Sequence, residues 1–170
     1  MKKYLSPIVC GFGAGVLMIA PLIKTFTCCL IIPAAALFSI LLDQKANPTG
    51  EKITVQKGLV FGLLTGLFAA LFGTFFEILI TFITHSNDLT ENYEYIIEAW
   101  KAIPDEAMLK AMTDLFQGII QDIETTGFSL IYSLLLFANH FFTGLIFGLL
   151  GGLLGMKIGN TNLEKQNEDF

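Results

Sequence analysis

Two ionisable side chains stand inside long apolar stretches of the chain, Glu77 and His140. Such groups are expensive in a bilayer, and by default they mark a route for ions or protons. A carboxylate and an imidazole at one depth could relay a proton or hold a cation. The spacing allows a common depth. If Lys57 and Lys157 mark one membrane boundary, Glu77 lies 20 residues above it and His140 lies 17 above it. That difference is about 4.5 Å of helical rise. Lys24, at the turn between the first two apolar segments, belongs near the same level, so Lys24, Glu77 and His140 form one candidate polar site. Plainer roles stay open. Glu77 can reach the headgroups from a boundary position, and His140 can be a neutral, hydrogen-bonded packing residue. Asn139 falls elsewhere on the helical wheel, where it could bond another helix.

Other chemistry finds little support. The chain has no Gly-x-Ser-x-Gly, His-Glu-x-x-His, phosphate loop or Cys-x-x-Cys. The run Gly11-Phe12-Gly13-Ala14-Gly15 has the letters of a dinucleotide fingerprint. It lies inside an apolar stretch with no strand before it, so it reads as helix packing. Cys10, Cys28 and Cys29 lack metal-ligand spacing with His and read as small apolar packing residues. Every basic residue apart from histidine is Lys, and without Arg there is no bidentate fork for phosphate or carboxylate. The expectation is a chain that is not an enzyme, with no cofactor, metal or nucleic-acid partner.

The elements that would position these residues are membrane helices. Of the 170 residues, 54% are hydrophobic and 15% charged, against about 25% charged in a soluble domain. Four apolar segments run from about 5–23, 25–42, 58–84 and 128–156. A bilayer core of about 30 Å needs roughly 20 helical residues. The last two segments exceed that and should tilt or project into the headgroups. The first two are short, contain Pro7, Pro21 and Pro33, and read as two thin spans or a re-entrant hairpin. Lys2 and Lys3 before the first segment resemble a signal peptide, but Pro21 after Ala20 makes a poor cleavage site, so the segment is kept as a permanent helix.

The lysines set orientation. Lys2, Lys3, Lys45, Lys52, Lys57, Lys157 and Lys165 fall on one side of a four-span chain, and Lys24, Lys101 and Lys110 on the other. The positive-inside rule then puts both termini on the cytoplasmic side. Residues 85–127 form an outside insert with nine acids and two lysines, a net charge of −7. Tyr93, Ile96, Ile97 and Trp100 recur at helical spacing, and Met108, Met112, Leu115, Phe116, Ile119 and Ile123 make the apolar face of a second helix starting near Pro104. This pair could cap the bundle, lie on the membrane surface, or dock a partner. Residues 160–170 are polar and aperiodic and read as a disordered cytoplasmic tail.

Two glycine stripes should hold the long spans together. Gly58, Gly62, Gly66 and Gly73 share one face of the third segment, and Gly144, Gly148, Gly151 and Gly155 one face of the fourth. Small residues let helix backbones approach in lipid. Nine of sixteen positions match between 58–73 and 144–159. The two helices cross in opposite directions, so the match reads as one packing demand met twice rather than as a duplication.

The chain resembles small bacterial inner-membrane proteins of unknown function. The residues carrying the likeness are Ile53-Thr54-Val55-Gln56-Lys57-Gly58 leading into the third segment, Cys28-Cys29 early in the second, and Gly151-Gly152 through Lys157 at the end. The resemblance implies four spans with Gly-rich third and fourth helices and an outside acidic insert, and it implies no activity. The resulting expectation is an all-α membrane four-helix bundle, residues 1–159, with an extracytoplasmic helical insert. Its expected partners are the lipid bilayer and either a second copy or a larger membrane complex. The leading function is a non-enzymatic subunit or scaffold packing through glycine faces. The alternative is a small oligomeric ion or proton transporter using Glu77 and His140.

Overall fold

A computed structural model describes residues 4–20, 27–48, 51–102 and 104–168. All regular structure among them is helical. Helix α1 is Leu5–Met18, and a π-helical turn, Thr27–Ile31, leads into α2, Ile32–Ala46. Helix α3 is Val55–Thr84, and α4, α5 and α6 are Asp88–Glu91, Tyr93–Trp100 and Glu106–Thr126. Helix α7 is Leu130–Glu168. Three stretches are long and apolar enough to cross a membrane: Cys29–Ala46, Val55–Thr84 and Leu130–Lys165. By length and composition they make this a membrane protein. Helix α1 has 14 residues and rises about 21 Å, short of a bilayer core of about 30 Å.

The helices fall into two compact units, Met1–Phe76 with Phe137–Phe170, and Glu77–Leu136. In the first, glycine decides which helices touch. A Cβ at Gly62 or Gly66 would run into the backbone carbonyl of Gly148 or Gly144, and at Gly58 it would lie 3.1 Å from the carbonyl oxygen of Gly152. Residue numbers rise along α3 as they fall along α7, so the two helices are antiparallel. Gly11 and Gly15 of α1 press on the backbones at Thr65 and Gly73, so α1 runs parallel to α3. Gly151 and Gly155 meet Pro33 and Leu37, so α7 runs parallel to α2. Helices α1 and α2 also pack together. Helices α2 and α3 meet as well, at Ile40 and Phe61, so each of these two touches the other three.

The stripe on α7 is therefore divided. Gly144 and Gly148, with Gly152, face α3, whereas Gly151 and Gly155 face α2; Gly73 of α3 meets Met18 of α1 rather than α7. Three or four residues make one turn, so a stripe one residue out of step lies about 100° away and serves another neighbour. Around these contacts two apolar clusters form, Ala14, Met18 and Ala69 in one and Ile40, Ile53 and Phe61 in the other.

Helix α7 does not stop at the apolar boundary. It continues through the polar stretch to Glu168, where the sequence reading expects disorder. The extension has partners. The Asn160 side chain accepts from the Ile53 N–H at 2.7 Å and donates to the Ile53 carbonyl at 3.1 Å. Lys52 and Glu164 form an exposed ion pair at 2.7 Å.

In the second unit, Asn87 and Thr90 make a reciprocal cap on α4, and Asp105 caps α6 by accepting from Met108 N–H. Ile119 and Ile123 are buried, and Phe116 meets both Tyr93 and Trp100. Gly127 ends α6 at φ 73°, and a Cβ there would meet the Phe82 carbonyl at 2.6 Å. Both the backbone angle and the close approach demand glycine.

Candidate functional site

His140 and Glu77 are both buried, each 8% exposed. His140 projects from the first third of α7, four residues before Gly144. Its Nδ1 lies 3.0 Å from the hydroxyl of Thr74, itself buried on α3. The close backbone approach at Gly66 and Gly144, two turns from Thr74 and one turn from His140, brings these side chains within reach. A hydroxyl can donate to or accept from an imidazole nitrogen, so the pair holds the ring orientation and couples its tautomer to the hydroxyl.

Glu77 lies three residues beyond Thr74 on α3. Its Oε1 accepts from the hydroxyl of Tyr132, near the start of α7, at 3.2 Å. Thr81, one turn further along α3, is also buried. Thr74, Glu77 and Thr81 therefore share one face of a helix that is mostly apolar. Polar groups in hydrocarbon need partners. Thr74 and Tyr132 are the partners that sequence reasoning missed. Nothing in the composition marks one Thr or Tyr among many; the i−3 spacing of Thr74 from Glu77 is the one signal available. Lys24, the third residue of the expected polar site, lies outside the described residues.

The glycines named for packing are all buried. Cys10 is half-buried in α1, Cys29 is exposed in the π-helical turn, and the side chain of Cys28 is outside the described residues. Among the described residues no group of three His, Cys, Asp or Glu could hold a metal ion. Asn139 is exposed.

Residues 7–157 match the model of a family described as Protein of unknown function (DUF4199). No curated protein and no solved structure matches the chain.

Proposed function

We propose that this chain, which belongs to the DUF4199 family, is a non-enzymatic multi-pass subunit or scaffold of a bacterial inner membrane. One observation carries the reading: the glycine faces are used up inside one chain, Gly58, Gly62 and Gly66 against Gly152, Gly148 and Gly144. Much of what remains outward on the long helices is apolar. On α7, Leu130, Leu134, Phe142, Ile146, Leu150 and Leu154 are exposed at helical spacing, the surface that lipid or another membrane helix would cover. A rigid, four-helix membrane bundle with an extracytoplasmic insert and both termini in the cytoplasm fits these features. Purification from native membranes under mild detergent tests it. The expected result is a defined set of co-purifying membrane chains at fixed stoichiometry. Recovery as an isolated monomer would overturn it.

A second reading has its own support. The buried side chains of Glu77 and His140 favour an ion or proton path, built in an oligomer because few helices enclose little room. On that reading conduction needs both residues. Glu77→Gln and His140→Gln should then abolish flux in liposomes and be non-additive in stability; additivity within about 0.3–0.5 kcal/mol would remove the argument for the path.

A further inference from the structure

The first unit contains a partly buried ion pair that neither reading has used. Asp43 Oδ2 lies 2.6 Å from Lys57 Nζ, with the Asp43 side chain 4% exposed and Lys57 36%. Asn47 donates to the other carboxylate oxygen at 3.1 Å, and the ammonium stands 5.5 Å from the Phe61 ring centroid. Each charge sits at the wrong end of its helix. Asp43 is in the last turn of α2 and Lys57 in the first turn of α3, so each opposes the helix dipole. Helix stability does not explain them, and a buried pair is itself weak evidence of stabilisation.

A second feature lies one helical turn from Asp43. Ser39 is one turn back along α2, about 6 Å of rise from Asp43 and on the same face. It is fully buried, and its hydroxyl has no hydrogen-bond partner among the described residues. The contrast is Thr65 of α3, equally buried, whose hydroxyl returns to the Phe61 carbonyl at 2.8 Å. An unpartnered hydroxyl in such a place awaits water or a cation. The pair in front of it is asymmetric: Lys57 reaches solvent, whereas Asp43 does not.

We propose that Asp43–Lys57 is a gate over a small hydrophilic site at Ser39 that takes water or a small monovalent cation. Closed, the pair seals the site. Open, Lys57 turns to solvent and the Asp43 carboxylate and Ser39 hydroxyl face the incoming species together. The gate serves the ion-path reading and rests on it for its purpose, but its opening is measurable without any flux.

The test is cysteine accessibility in nanodiscs, where both membrane faces meet the reagent. Ser39→Cys is placed in a chain whose Cys10, Cys28 and Cys29 are replaced by Ser, and Ala69→Cys provides a buried control. The probe is a small charged methanethiosulfonate. With the pair intact, Ser39→Cys should react slowly. Adding Lys57→Gln should raise that rate by about 100-fold, because it leaves an uncompensated buried charge, while Ala69→Cys stays protected. Fast reaction with the pair intact, no acceleration by Lys57→Gln, or equal acceleration at Ala69→Cys would each overturn the gate. The last would identify global loosening. Absence of flux in liposomes would count against the ion path alone and leave the accessibility result standing.

Discussion

Thr74 and His140 show how a single polar contact is held in an apolar setting. With both side chains buried, the 3.0 Å contact replaces bonds that neither could make to water. A hydrogen bond is worth about 0.5–1.5 kcal/mol net, and stranding one buried partner costs about 1–3. Thr74→Val and His140→Leu should therefore each lower the melting point in detergent. Combined, they should lose less than the sum, since the second change strands nothing further. A double-mutant cycle reads this directly. A coupling below about 0.3–0.5 kcal/mol would mean that the contact carries no stability. Tyr132→Phe with Glu77→Gln offers the same comparison at the other polar pair.

At the scale of elements, helix α3 is organised by what glycine omits. Gly66 faces the Gly144 carbonyl so closely that even one methyl group has no room, and the obstacle is backbone rather than a movable side chain. Gly66→Ala should push α3 and α7 apart at an overpacking cost of typically about 1–3 kcal/mol. Gly118 of α6 is the opposite case: a Cβ there would meet nothing within 4 Å. Gly118→Ala should gain roughly 1 kcal/mol of helix propensity. Thermal midpoints in one detergent should thus move in opposite directions. A stabilised Gly66→Ala or a destabilised Gly118→Ala would show that the packing differs from that described.

For the molecule as a whole, helix directions constrain any membrane placement. Helices α1 and α3 run one way, and α2 and α7 the other, as their glycine contacts require. Alternation of this kind suits a chain that crosses repeatedly and returns its C-terminus to the side where α1 began. With the lysine bias, we expect residue 52 and the end of α7 in the cytoplasm and Trp100 outside. An impermeant maleimide on intact cells should label Trp100→Cys and spare Lys52→Cys, each in a cysteine-free background. Labelling of residue 52 from outside would reverse or break the topology.

Much of this architecture is legible along the chain, because it depends on local periodicity. Apolar runs of helical length, the amphipathic stretches at 93–100 and 106–126, and the small-residue stripes all follow from neighbours three and four residues apart. Glu77 and His140 stand out for the same reason, as ionisable residue types set in apolar runs. Partners are different, since they depend on crossing and register. That Gly151 turns to α2 while Gly152 turns to α3, that Thr74 meets His140, and that Asn160 clips Ile53 are outcomes of how four helices share one interior. The polar end of α7 is the clearest case. Its sequence carries no periodic signal, and its helix is supported by contacts with a segment 107 residues away. Local pattern decides which faces must be buried, and only the assembled backbone decides against what.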